Sequence, residues 1–262
     1  MRLALLAFYN ETRKGMLLIW DYRFSMFTQV LMFGGVFLAV TFMIGNGKFV
    51  PERMAPIMIG YMMWTFASMA LNDMSWNLME ETRTGTLEQM YMTPAPTGLI
   101  VLGRAFSRLL FAGTMVLLMS ILIIAGFKLD LPLRWPALPV LALTVAGVYG
   151  FGFMVAGATL VFKQVGTLAF IIQNSLLFLN GSFFPVDRFP AGLATFTKTL
   201  PTTQGIIVLR QLLIDRQSLA SVWADGSLAL LVLHSALFFI GGWTIFKWCE
   251  GLARRQGSLG QY

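Results

Sequence analysis

Groups able to do covalent chemistry are scarce in this chain: one histidine, His234, and one cysteine, Cys249, in 262 residues. A serine hydrolase needs a nucleophile with a base in reach, and Ser182 with His234 is the one arrangement the sequence allows. No Gly-x-Ser-x-Gly elbow and no His-Glu-x-x-His zinc motif occurs. A lone cysteine cannot close an intrachain disulfide. Gly45-Asn46-Gly47-Lys48 lacks both the spacing and the following Ser or Thr of a phosphate-binding loop. His234 sits inside an apolar run, where a neutral imidazole hydrogen-bonded to a neighbouring helix is expected rather than a proton relay. The chain reads as a non-enzyme with no metal site and no cofactor of its own.

Two segments hold polar groups in patterns that a simple connector does not need. The first is Asn72 to Gly103. Thr86 with Gln89 three residues later is a capping-box pattern, and Gly85 permits the sharp turn before it. Thr93-Pro94 closes the helix, because the residue before proline avoids helical geometry. The expectation is a short helix, Leu87 to Met92, with Leu87, Met90 and Tyr91 on its apolar side and Glu88 and Gln89 on its polar side. Glu80, Glu81 and Arg83 precede it. Connectors between packed helices need only a few residues, so this segment reads as a docking element. The second segment runs from Pro185 to Asp225 and is approached through Asn180-Gly181-Ser182-Phe183-Phe184-Pro185. Gly181 and Pro185 break a helix, Pro190 and Pro201 frame a short stretch, and Thr202 or Thr203 can cap a helix reaching Ile214. Lys198 is the single charge from Phe189 to Leu209. The segment is too apolar for a free loop and too broken for a span. It reads as helical pieces dipping back into a membrane, where irregular backbone survives only if buried in protein or lining water. Asn180, Gly181, Phe183, Phe184, Pro185 and Pro190 are the candidate outer gate, with a lid that packs over the helix bundle as the alternative reading.

These segments must be held by something, and the composition says what. The chain is 57% apolar and 12% charged, against about 25% charged in a soluble domain. The net charge of +7 lies mostly between apolar runs, where it meets lipid headgroups, with no aromatic-interleaved basic patch for nucleic acid. A membrane helix needs roughly 20 apolar residues. Six runs qualify: Ser25 to Ile44, Met54 to Leu71, Leu109 to Phe127, Trp135 to Phe162, Gln164 to Val186 and Gly226 to Phe246. The third inserts unaided on its Leu, Ile, Phe and Val content. The second leans on Met54, Met58, Met62, Met63 and Met69 and needs neighbouring helices. Lys163, Gln164 and Gly166 mark a tight turn between the fourth and fifth. Gln173, Asn174 and Asn180 in the fifth should face other helices. The runs hold no Asp or Glu and no internal repeat, which weighs against a secondary transporter or channel.

Six spans place both termini on one side. With that side cytoplasmic, the inner segments hold Arg2, Arg13, Lys14, Arg23, Arg83, Arg104, Arg108, Lys163, Lys247, Arg254 and Arg255, the majority of the 19 Lys and Arg. Residues 1–23 read as an interfacial helix. Leu5, Phe8, Tyr9, Thr12, Met16, Ile19 and Trp20 share one face, with Asn10, Arg13, Lys14 and Asp21 away from it. The whole chain, 1–262, is one all-α, polytopic membrane domain.

Glu81 to Pro94 (ETRTGTLEQMYMTP), with Asn180 to Pro190 (NGSFFPVDRFP) and Leu200 to Leu213 (LPTTQGIIVLRQLL), resembles the ABC-2 type transporter permeases. So does the order of features along the chain. The resemblance implies the membrane subunit of an exporter in the cytoplasmic membrane, a homodimer or a dimer with a similar chain. It also implies two copies of a cytoplasmic ATP-binding-cassette subunit carrying the ATP and magnesium. Glu81, Gly85, Thr86, Leu87, Glu88, Gln89, Thr93 and Pro94 would then couple the permease to that ATPase. An amphipathic, drug-like or lipid-like substrate is expected, with polysaccharide or glycolipid export as the alternative within the family.

Overall fold

The protein is described by a computed structural model covering residues 2–84, 92, 97–132, 134–162 and 165–256. Regular structure among the described residues is entirely helical. The helices are α1 (Arg2–Asp21), α2 (Arg23–Ile44), α3 (Pro51–Arg83), α4 (Thr97–Phe127), α5 (Ala137–Val161), α6 (Gly166–Leu179), α7 (Ala191–Lys198), α8 (Pro201–Leu213), α9 (Leu219–Ala224) and α10 (Ser227–Gln256). Among the described residues five helices, α2, α3, α4, α5 and α10, are long and apolar enough to cross a membrane.

The sequence differs from this in two places. The run Gln164 to Val186 is not one helix. It forms α6, which has 14 residues, about 21 Å at the usual rise, short of a hydrocarbon core of about 30 Å. The helix stops because Gly181 takes φ +81° and Pro185 follows. Conversely, the segment Asn72 to Gly103 is mostly helix: α3 runs unbroken to Arg83 and α4 begins at Thr97. No breaker stands between Leu71 and Arg83, and Asn72 and Asp73 find partners. Asn72 Nδ2 donates to Gln173 Oε1 at 2.6 Å, and Arg108 lies 3.8 Å from Asp73.

α3 is the hub. In its apolar stretch 83% of residues are buried, against 17% in α2 and in α10. Met54, Met58, Met63, Tyr61 and Trp64 are buried in this core, so the weakly hydrophobic span is covered by protein rather than lipid. Polar side chains tie its neighbours to it. Tyr61 Oη donates to Phe33 O of α2 at 2.8 Å, and Trp64 Nε1 donates to Gln173 O of α6 at 2.8 Å. Asn174 instead bonds back to Phe170 O of its own helix at 2.7 Å.

α5 and α10 pack differently, through small residues. A Cβ on Gly242 would overlap the carbonyl of Gly150, and one on Gly150 would overlap the backbone at Phe238 and Phe239. Gly147 meets Ser235 and Gly157 meets Phe246 along the same seam. Between apolar helices in lipid the hydrophobic effect gives little attraction, so close backbone approach supplies the dispersion contacts.

One end of the bundle gathers both termini, the end of α3 and the start of α4. There α1 lies on α4: Arg104 is 3.4 Å from Glu11, Ser107 Oγ donates to Glu11 O at 2.9 Å, and Gly15 sits against Ser107. The face of α1 that meets the bundle is therefore Glu11 and Gly15, while Tyr9, Met16 and Trp20 remain exposed. At the same end the buried Glu250 of α10 pairs with Lys247 and Arg254, each at 2.7 Å.

Gly242→Val should cost about 1 to 3 kcal/mol through overpacking of the α5–α10 seam. Gly34→Val, where a Cβ meets open space, should be nearly silent. Thermal unfolding of the two variants in detergent checks this; equal melting temperatures would mean the seam is not tightly packed.

Candidate functional site

The break after α6 is irregular backbone held inside the bundle. Asn180 and Ser182 are fully buried. Asn180 Oδ1 accepts from the Ser182 amide at 3.0 Å and from Ser182 Oγ at 2.6 Å, an Asx-type turn built into the core. The Ser182 hydroxyl proton is thus directed at an amide oxygen, not at His234. Gly60 of α3 lets the break approach, since a Cβ there would press on the Ser182 backbone. Phe183 points inward, its ring 6.3 Å from Tyr61 and 6.2 Å from Phe178, whereas Phe184 is 46% exposed. Pro185 is exposed and Pro190 starts α7.

A residue absent from the sequence-derived site holds this break in place. Arg210 of α8 donates Nε and Nη2 to Pro56 O at 3.1 and 2.8 Å. The same Nη2 also reaches Gly181 O at 2.9 Å and Ser182 O at 3.1 Å. One planar guanidinium therefore joins α8, the break and the proline-bearing turn of α3. Arginine suits this because its charge persists and its donors are fixed in a fork. A signal for it existed in the sequence: a single cation bracketed by Ile206-Ile207-Val208-Leu209 and Leu212-Leu213. An ionisable group in such surroundings is a functional candidate by default.

α8 itself is wedged into the bundle, with Ile206, Val208, Leu209 and Leu212 buried and Gly205 against Thr144 of α5. It starts at Pro201 with Leu200 as its cap residue and no side-chain cap. Thr202 and Thr203, expected as caps, instead lie inside the first turn with buried hydroxyls that find no protein partner among the described residues. His234 Nδ1 is likewise buried without a protein partner among the described residues. Proline explains the shift of the cap: its fixed φ and missing N–H make it the natural first helical residue.

Of the expected docking residues, Glu81 lies in the last turn of α3. Its side chain, and the residues Gly85, Thr86, Leu87, Glu88, Gln89, Thr93 and Pro94, lie outside the described residues. The expected helix Leu87 to Met92 is described only at Met92, which is exposed.

Replacing Arg210 by Lys keeps the charge but loses the fork, leaving carbonyls that cost about 1 to 3 kcal/mol each when unpaired. In a Cys249→Ala background, a cysteine at Ser182 should react several-fold faster with a water-soluble maleimide once Arg210→Lys is added. An unchanged labelling rate would show that Arg210 does not hold the break shut.

Residues 5–214 match the ABC-2 type transporter family. The chain is also similar to nodulation protein J of Sinorhizobium fredii, with 33% identity over 143 residues, half of this chain and half of that protein. The chain spans about half the length of this curated relative. The family match covers the hub helix α3, the break and Arg210 together, so the chain belongs to the ABC-2 type transporter family, whose members are membrane proteins.

Proposed function

We propose that the chain is the permease half of an ATP-driven exporter in the cytoplasmic membrane, working as a homodimer with two copies of an ATP-binding-cassette subunit. Family membership across residues 5–214 carries this reading. The termini-bearing end faces the cytoplasm, in keeping with the excess of Lys and Arg among its segments. α6 together with the break at Asn180 to Pro185, buried as far as Phe183, makes the sixth crossing, and α7 to α9 form the re-entrant outer segment.

The geometry of α3 suggests how the two ends communicate. Its end at Arg83 leads into the docking segment, and Pro56 near its start accepts from Arg210. The two points are about 40 Å apart along one rigid helix. In this mechanism the segment from Glu81 to Pro94, with Glu88 on its polar side, seats in the ATPase. ATP-driven closure of the two ATPase subunits tilts α3 and α4. Pro56 then moves relative to Gly181 and Ser182, Arg210 loses part of its acceptor set, and the outer gate opens between the two permease copies. The cargo is an amphipathic, drug-like or lipid-like molecule. ATP and magnesium are held by the partner.

The reading is tested by purifying the tagged chain in mild detergent from its native host. A cassette ATPase should co-purify, and Glu88→Lys should abolish both the co-purification and transport while leaving the permease monodisperse. Undiminished transport by Glu88→Lys would overturn the coupling role. His234→Gln should leave transport nearly unchanged; a collapse would assign the imidazole a role in the cycle.

A further inference from the structure

The last carbonyls of a helix have no donors within it, and at the end of α8 one of them is served from a distant part of the chain. The Ile214 and Asp215 amides close on Arg210 O at 2.8 and 3.1 Å. The Gln217 amide donates to Gln211 O at 2.9 Å, with Arg216 in the left-handed region at φ +54°, as in a Schellman helix end. The next carbonyl belongs to Leu212, which is fully buried. Its hydrogen bond comes from Arg134, whose Nη1 donates to Leu212 O at 3.0 Å and to Gln217 O at 3.1 Å. A cation at this place also meets the negative end of the helix dipole.

Arg134 stands in the link between α4 and α5, flanked by Pro132 and Pro136, whose fixed φ leaves the link little freedom. Its own carbonyl accepts from the Ala137 amide at 2.9 Å, at the start of α5. Leu129, two residues past the end of α4, is buried and ties down the other side of the link. Arg134 is therefore rooted on α4 and α5 and reaches across to α8. A second contact joins the same two segments, Arg216 lying 3.2 Å from Asp130, but both side chains are largely exposed and such a pair contributes little. The turn that Arg134 grips is the one that carries Arg210. Leu212 is two residues further along it, and the Ile214 and Asp215 amides fold back onto the Arg210 carbonyl itself.

We propose that Arg134 is a positioning residue for the outer gate: it fixes the last turn of α8 so that the Arg210 fork reaches Pro56, Gly181 and Ser182. The inference rests on the reading of the Asn180 to Pro185 break as that gate. It adds a second input to the same contact. α3 bears on Arg210 through the Pro56 acceptor, whereas α4 and α5 bear on it through the donor, by way of Arg134 and the turn it holds. Displacement of either helix pair loosens the same set of hydrogen bonds.

The test is made on the purified full chain in detergent, in the Cys249→Ala background with a cysteine at Ser182 and a water-soluble maleimide as probe. Arg134→Met keeps the apolar stem and removes the donors, so it should raise the labelling rate several-fold. Arg134→Lys should restore most of the slow rate, since an ammonium can still donate to both carbonyls. Added to Arg210→Lys, Arg134→Met should give little further rise, because the two changes act on one contact. Asp130→Asn, which breaks only the exposed ion pair, should leave the rate unchanged. A cysteine at Gly192, exposed and with open space for a Cβ, should label alike in every variant. If Arg134→Met is not monodisperse, Arg134→Gln, whose shorter amide does not span to α8, replaces it. A fast rate with Arg210→Lys but a slow one with Arg134→Met would overturn the role of Arg134 and leave the gate standing. Effects that multiply in the double variant, or Arg134→Lys labelling as fast as Arg134→Met, would also overturn it. Slow labelling in every variant would overturn the gate reading together with it. No ATPase is present, so none of these outcomes bears on the exporter reading.

Discussion

The structure depends on one guanidinium placed among backbone carbonyls. Where a helix stops inside an apolar bundle, its freed carbonyls have no water to bond, and each such group costs several kcal/mol if left alone. Arg210 meets that need at Gly181 and Ser182 and at the same time grips Pro56. The cost of burying the cation and the cost of the broken backbone offset each other. Neither feature is tolerable without its counterpart, which is why the break, α8 and the first turns of α3 form a single mechanical unit. Gly60 and Gly181 serve the same unit, the one by allowing contact with Ser182 and the other by adopting φ +81°.

Around this unit the helices use two packing chemistries. α3 is held by large, adaptable side chains and by hydrogen bonds from Tyr61, Trp64 and Asn72 to its neighbours. α5 and α10 are joined by glycines at backbone contact, which leaves little room for sliding. The consequence is an uneven bundle: α5, α8 and α10 pack on one another through small and apolar residues, while α2, α4 and α6 are tied to α3 by polar contacts as well.

The termini-bearing end is organised by charge rather than by packing. Glu11 with Arg104 and Asp73 with Arg108 are partly exposed pairs, which contribute little stability individually. Their effect is positional: they fix α1 and the long overhang of α3 against the first turns of α4. The buried Glu250, flanked by Lys247 and Arg254, anchors α10 at the same level. A helical rod such as α3, held by charge at one end and by Arg210 at the other, can carry displacement between them.

By itself the sequence determined the class of the protein. Long apolar runs free of carboxylates admit only membrane helices, and this follows from solvation, which acts residue by residue. The breaks at Gly181, Pro185, Pro190 and Pro201 were legible for a similar reason, since proline and glycine act on their own backbone. What the sequence could not show is where polar groups find partners. Asn72 and Asp73 looked like the end of a span, yet partners on α6 and α4 let the helix continue to Arg83. Thr202 and Thr203 looked like caps, yet Pro201 took the first helical position. Arg210 stands in the outer segment without a partner near it in sequence, and its acceptors lie 154 and 28 to 29 residues away. A hydrogen bond across such distances depends on the packing of three separate elements, and only the tertiary structure decides that.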